Sequence, residues 1–254
     1  MVVVSCLWVG SRLSRMEHYS IKSFMKVGYT VELYVYEDVE NVPDGTIIKD
    51  ANLVLNIDDI FLLKKSFLPF SDIWRYKFLY EFGGIWFDLD MICLKKFDTT
   101  DEYIISSEYT MQSGAFKSKM NYISNIGILK APKGSLFYKD LYETCSNYQF
   151  NKTNNDKLKY MKIFRKKVVK YNYHKYVRSP IDFCPVSWWN AKEAFLGNRK
   201  TKFNVNPHTD DYIFNNSYCW HAWRDKLTKS HKIDLDKIYN PDSIWEKSIK
   251  KIDE

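Results

Sequence analysis

Cysteine is sparse in this chain, and its spacing forms no pattern. Cys6, Cys93, Cys145, Cys184 and Cys219 are scattered over 254 residues without a C-x-x-C pair. An odd, unpatterned set argues against a disulfide framework or a zinc site and for a reducing compartment. No apolar run reaches the roughly 18 residues that suggest a membrane-spanning helix. The opening MVVVSCLWVG lacks a basic leader and is too short for a signal peptide, so a buried first strand and a cytoplasmic chain are expected. No internal repeat or low-complexity linker is visible. The length fits one large α/β domain, or a core domain with a smaller appendage.

What the chain has in plenty is aromatic side chains and lysine. Hydrophobic residues make up 45% and aromatics 17%, with 19 Tyr, 16 Phe and 8 Trp. Such rings serve core packing first, and stacking surfaces for bases or sugars second. The net charge of +7 suits anionic partners such as sugar nucleotides, acidic membrane surfaces or nucleic acid, without choosing among them.

Read in order, residues 2–9 form a β-branched run expected of a strand buried on both faces, ending at Trp8, Val9 and Gly10. Ser14-x-x-Glu17 is a capping box for a helix that should stop at Gly28. Residues 30–36 form a second strand, so the opening is a βαβ unit and the sheet is parallel. A Pro-Asp-Gly turn precedes a short strand at 46–48. Residues 61–70 are apolar and should pack between the sheet and the next helix. Strands are expected at 103–108 and 123–129, with Gly127 inside the second permitting close backbone approach. A helix is expected from Gly134 to about residue 150.

Residues 156–176 combine many Lys and Arg with Leu158, Met161, Phe164 and Val168. That amphipathic basic pattern fits either a solvated surface helix or a peripheral contact with anionic lipid. Residues 180–190 are broken by proline, and a helix follows to Leu196. Residues 202–224 are rich in His, Trp and Asn and have little periodicity, as site-lining segments often do. A last helix is expected near 243–251.

The centre of the chain is residues 71–94, SDIWRYKFLYEFGGIWFDLDMICL. Ser71 is expected to cap a helix over 72–82 carrying Asp72 and Arg75 on one face of its first turn. Gly83-Gly84 ends that helix, residues 85–87 form a strand, and Asp88 and Asp90 follow as D-x-D. Ligands of α/β sheets bind at the carboxyl ends of strands. Two carboxylates there suit Mg²⁺ or Mn²⁺, which accept oxygen ligands and retain phosphate oxygens. Carboxylates at i and i+2 of an extended strand point to opposite faces, so both reach one metal only if the chain turns at the strand end.

In these features the sequence resembles the D-x-D sugar-transferase family: Ser71-Asp72-x-x-Arg75, then Gly83-Gly84-Ile85-Trp86-x-Asp88-x-Asp90. That family includes fungal initiating α-mannosyltransferases and bacterial and viral polysaccharide enzymes, and is distantly similar to the glucosylating clostridial toxins. The resemblance implies a GT-A fold: a nucleotide-sugar-binding α/β sheet flanked by helices, with a helical and irregular C-terminal portion. It implies a single domain over 1–254, with a donor- and metal-binding core at 1–130 and an acceptor side at 131–254. Trp8 then matches the residue stacking on the donor base, Asp72 one holding sugar or ribose hydroxyls, and Arg75 one meeting the donor sugar or phosphate. Asp88 and Asp90 match the metal and ribose contacts, Asp90 as the direct metal ligand. His221 resembles a C-terminal residue completing the metal or diphosphate site; Asn125, Trp220 and Trp223 are weaker matches. The expected cofactor is Mn²⁺ or Mg²⁺. The expected donor is a UDP-sugar, with GDP-mannose second, and the acceptor a glycan or other hydroxyl. Retention of anomeric configuration is expected, without a protein nucleophile. An inverting enzyme would need a carboxylate base, for which Asp210-Asp211 is the pair to examine.

Two other readings compete. An aspartate-dependent phosphatase would use Asp88 as nucleophile, but such enzymes usually want D-x-D-x-[TV], and Ile92 occupies that fifth position. A non-enzymatic basic binder would act on membrane or nucleic acid through 156–176. The glycosyltransferase reading leads, and with it no nucleic-acid partner is expected.

Overall fold

The computed structural model describes residues 2–63, 66–110, 121–147, 159–197 and 208–254. Its elements in chain order are β1 (Val3–Leu7), α1 (Arg15–Lys26), β2 (Thr30–Val35), β3 (Ile47–Asp50), α2 (Leu68–Glu81), β4 (Gly84–Phe87), β5 (Met91–Cys93), β6 (Ile104–Thr110) and β7 (Asn121–Ala131). There follow α3 (Leu136–Ser146), α4 (Lys159–Lys170), α5 (Pro180–Phe183), α6 (Ala191–Leu196), α7 (Asp210–Asn216), β8 (Cys219–His221) and α8 (Ile244–Asp253). The expected α/β architecture is the observed one: a six-stranded sheet flanked by helices, with a helical, loop-rich C-terminal portion.

The sheet runs β3-β2-β1-β4-β7-β6. The first four strands are mutually parallel, while β7 is antiparallel to both β4 and β6. Alternation along the strands sends side chains to opposite faces. Val4 and Cys6 of β1, with Ile85 and Phe87 of β4, join a core against α1 that includes Ile21 and Phe24. Trp86, between those two, faces the other way into a core built with α2, α3 and α4. A third core joins α6 and α8 to β8 through Phe195, Trp220 and Trp245.

The capping box at α1 is present as expected, with Ser14 and Glu17 each satisfying the other's backbone amide. The start of α2 is not where the sequence suggests. The helix begins at Leu68, with Pro69 in its first turn, so Ser71 is a helical residue rather than a cap. Proline's fixed φ and missing N–H suit the first turn, and this outcompetes the serine signal one turn later. At its other end Gly83 and Gly84 adopt φ of 71° and 93°. A Cβ on Gly83 would lie 2.4 Å from the amide nitrogen of Lys133, so the chain can turn here only without a side chain.

The basic stretch forms α4 from Lys159; residues 156–158 lie outside the described residues. Tyr160, Phe164 and Val168 are buried in the core. Lys167 and Lys170 pair with Asp140 of α3, and Arg165 pairs with Glu108 of β6. Part of its cationic face is therefore spent on docking the helix. No helix among the described residues is long and apolar enough to cross a membrane.

Candidate active site

The D-x-D lies at the parallel sheet's carboxyl edge, on a turn. The amide of Asp88 donates to the Gly127 carbonyl at 2.8 Å, and the amide of Met91 donates back to the Asp88 carbonyl at 2.9 Å. This four-residue turn between β4 and β5 resolves the facing problem of carboxylates at i and i+2. Gly127 lets the turn sit close: a Cβ there would lie 3.0 Å from the Met91 sulfur.

The second half of the site arrives from the far end of the chain. β5 pairs antiparallel with β8, in the register Met91 to His221, Ile92 to Trp220 and Cys93 to Cys219. The amide of Ala222 donates to the Asp90 carbonyl at 2.8 Å, and that of Arg224 to Asp90 Oδ2 at 2.9 Å. His221 Nε2 lies 3.0 Å from Asp90 Oδ1. Ligand atoms of Asp88, Asp90 and His221 all lie within 4.8 Å of one another.

Arg75 holds the site from beneath. Its guanidinium is buried, and each nitrogen faces protein oxygen. Nη1 lies 2.8 Å from Asp88 Oδ1 and donates to the Ile126 carbonyl at 3.0 Å. Nη2 lies 3.3 Å from Asp72 Oδ1 and donates to Ser71 Oγ at 3.1 Å, while Nε donates to the Ser71 carbonyl. All five donors thus have acceptors within the protein. The guanidinium also stacks over Trp86, 4.9 Å from the ring centroid, and Trp86 Nε1 donates to Asp88 Oδ1 at 2.9 Å. Trp86 is legible in sequence as part of the motif, but not as a donor to the carboxylate.

The electrostatics separate the carboxylates. Burial pushes the Asp72 carboxyl up to about 7; the Arg75 charge opposes this and Asp88 adds to it. Burial also raises Asp88, with Arg75 opposing and Asp90 reinforcing. Burial disfavours the charged form of Asp90 as well, but the His221 ring and the Arg224 amide outweigh it, so this carboxyl is held below its ordinary value. His221 is correspondingly raised well above an ordinary imidazole: burial opposes the charged ring, and the pairing with Asp90 overcomes it. Two carboxylates and an imidazole form a donor set that could hold a divalent cation. His221 Nδ1 is buried with no hydrogen bond of ordinary geometry among the described residues, and the Cys184 thiol lies beside the ring and favours its charged form.

The remaining sequence candidates fall around this cluster unequally. Trp8, at the end of β1, has the Arg224 guanidinium 5.4 Å above its ring, and its buried Nε1 has no hydrogen-bond partner among the described residues. Asn125 is buried in an internal network: its Oδ1 accepts from the Gly127 amide at 2.7 Å and its Nδ2 donates to Glu108 at 2.6 Å. Trp223 stacks on His221 at 3.9 Å. Trp220 is core, with Nε1 donating to Ser248. Asp210 and Asp211 open α7, Asp210 paired with Lys247, and neither belongs to the Asp88–Asp90–His221 cluster. Residues 202–207 of the expected site-lining stretch lie outside the described residues. Arg224 carries no signal in the sequence, where it is one more cation in a basic chain.

Residues 14–111 match the family described as glycosyltransferase sugar-binding region containing DXD motif. That span runs from the α1 capping box past β6 and includes Asp72, Arg75, Asp88 and Asp90. No curated protein matches the chain. Among solved structures the chain is similar to PaToxG glycosyltransferase, at 19% identity and a TM-score of 0.49, covering 66% of this chain and 69% of that one. It is also similar to the glycosyltransferase GlyE of Streptococcus pneumoniae TIGR4, at 14% identity and a TM-score of 0.49. That match covers 99% of this chain, which spans 62% of the GlyE chain.

Proposed function

We propose that this chain, whose residues 14–111 match the family described as glycosyltransferase sugar-binding region containing DXD motif, is a divalent-metal-dependent transferase that moves a hexose from a nucleoside-diphosphate sugar to a hydroxyl acceptor. The observation that carries the reading is the meeting of Asp88, Asp90 and His221, from two ends of the chain, in one cluster beside a saturated arginine. Asp90 and His221, with Asp88, would hold Mn²⁺ or Mg²⁺. The bound ion would neutralise charge on the departing diphosphate.

The chain's own residues do the positioning. Arg75 and Trp86 fix one oxygen of Asp88, so that carboxylate meets the ligand pre-oriented. Arg75 acts through Asp72 and Asp88, because its donors are already occupied. Trp8 is the stacking surface for the donor base, a UDP-sugar before GDP-mannose. Asp72, protonated or paired according to pH, presents oxygen to donor hydroxyls. Asn125, beside the turn that Gly127 admits, shapes the floor of the donor site. Residues 1–130 form the donor side and 131–254 the acceptor side, the acceptor being a glycan or other hydroxyl. Retention of anomeric configuration is the family expectation, with the leaving diphosphate taking the acceptor's proton.

The test is melting temperature and donor hydrolysis across a panel of nucleotide sugars, with and without Mn²⁺. A bound donor raises the melting temperature by mass action. Stabilisation by one donor only when metal is present, lost in Asp90→Ala, is the expected result. Hydrolysis or transfer that persists in EDTA and in Asp90→Ala overturns it.

A further inference from the structure

Beyond β8 the chain turns at Trp223 and presents the cation of Arg224. Trp223 adopts a left-handed φ of 60°, uncommon for an aromatic residue. It is held there by stacking on His221 and by donation from its Nε1 to the Val186 carbonyl at 2.7 Å. The next residue, Arg224, is thereby anchored through its backbone to Asp90 Oδ2.

The side chain of Arg224 is held in turn by Glu17. Nε donates to Glu17 Oε1 at 2.5 Å. Glu17 is fully buried, and its other oxygen accepts from the amide and hydroxyl of Ser14. A buried carboxylate needs a countercharge, and Arg224 is the cation that pairs with it. This engages the inner edge of the guanidinium and leaves the Nη edge without a protein acceptor among the described residues. The side chain remains 40% exposed and lies over Trp8. In Arg75 every donor is spent within the protein; in Arg224 the outer donors remain available. A planar guanidinium with a free edge suits an oxyanion such as a phosphate.

We propose that Arg224 contacts the diphosphate of the donor, and that Glu17, the capping-box carboxylate of α1, is the positioning residue that aims it. The proposal rests on the donor-site reading given above. It assigns Glu17 a part in orienting the site, beyond its share in the cap of α1.

Calorimetric titration with UDP and UMP, and with GDP and GMP in parallel, each with Mn²⁺, tests both parts. Arg224→Ala should weaken the diphosphate on the order of tenfold to a hundredfold, the range for a hydrogen bond to a charged group, and weaken the monophosphate much less. Glu17→Gln should give a smaller loss of the same kind, and the double variant no more than Arg224→Ala alone, because the two act as a unit. Ser14→Ala removes the capping hydroxyl but keeps the Ser14 amide that donates to Glu17 and leaves the Glu17–Arg224 pair in place, so it should bind like the parent. Diphosphate affinity unchanged in Arg224→Ala overturns the proposal; additive losses, or an equal loss in Ser14→Ala, overturn the part assigned to Glu17. A parent protein that binds neither diphosphate with Mn²⁺ overturns the donor-site reading and this proposal with it. Arg224→Lys keeps a countercharge beside Glu17 but not the planar Nη edge, so it should also weaken the diphosphate and gives a folded readout if Arg224→Ala, which leaves Glu17 unpaired, unfolds.

Discussion

Nη1 of Arg75 lies 2.8 Å from Oδ1 of Asp88, and that same oxygen accepts from Trp86 Nε1. One carboxylate oxygen is thus occupied by the protein before any ligand arrives. Removing the arginine would leave Asp72 and Asp88 beside each other without their buried countercharge. Arg75→Met should therefore destabilise the fold by about 3–5 kcal/mol, the range for breaking a buried ion pair. Denaturant unfolding of the purified variant checks this. Loss of donor binding with full stability would instead make Arg75 a direct ligand contact.

Asp90 and His221 make a pH prediction for metal binding. The pairing raises His221 well above an ordinary imidazole, so the ring binds a proton that a metal must displace. Mn²⁺ affinity should rise with pH as that proton is lost. Asp90→Asn removes the stabilising charge, so the His221 titration should move to lower pH, read by the ring resonances in NMR. As for stability, a histidine raised in the folded state contributes below its unfolded pKa, near 6.5. That contribution is lost as pH rises through the folded value.

Asp72 has the opposite sign for an acid. Burial lifts its carboxyl to about 7, so between the unfolded value near 3.9 and 7 the folded chain holds a proton that the unfolded chain releases. Its contribution to stability falls across that window as pH rises. Asp72→Asn should flatten this part of the stability-versus-pH curve, as measured by urea midpoints at several pH values. An unchanged slope would place the Asp72 titration elsewhere.

Gly83 offers a test of the fold alone. Its φ is positive, and a methyl group added there would sit 2.4 Å from the Lys133 nitrogen, so alanine has no relaxed conformation at this turn. Gly83→Ala should cost about 2–4 kcal/mol, within the range of strained backbone substitutions. A drop in melting temperature with unchanged affinity for the metal at the surviving fold is the expected pattern.

The first βαβ unit is legible in the sequence because each signal in it is local: a β-branched run, a capping box, and a helix-ending glycine, Gly28, at φ 91°. Gly127 is also legible, because a glycine inside a strand pattern marks close backbone approach. The start of α2 is harder to place, because two start signals lie within one turn and Pro69 prevails. The β5–β8 pair leaves no trace in the sequence pattern. Three-residue strands have no measurable period, and their partnership joins segments far apart in sequence. Without that pair, His221 is visible only through resemblance and Arg224 not at all. The saturation of Arg75 is likewise hidden, since its partners Ile126 and Asp88 come from different parts of the chain.

The β5–β8 ladder also orders events in time. The six strands of the larger sheet are complete by Ala131, whereas His221 and the Arg224 amide reach Asp90 only after β8 is made. During synthesis, the residues up to Ala131 can therefore form that sheet well before the cluster closes, because the closing contact is long-range in sequence. A chain that stops short of β8 would thus form its larger sheet and still bring only Asp88 and Asp90 together, without His221 or the Arg224 amide.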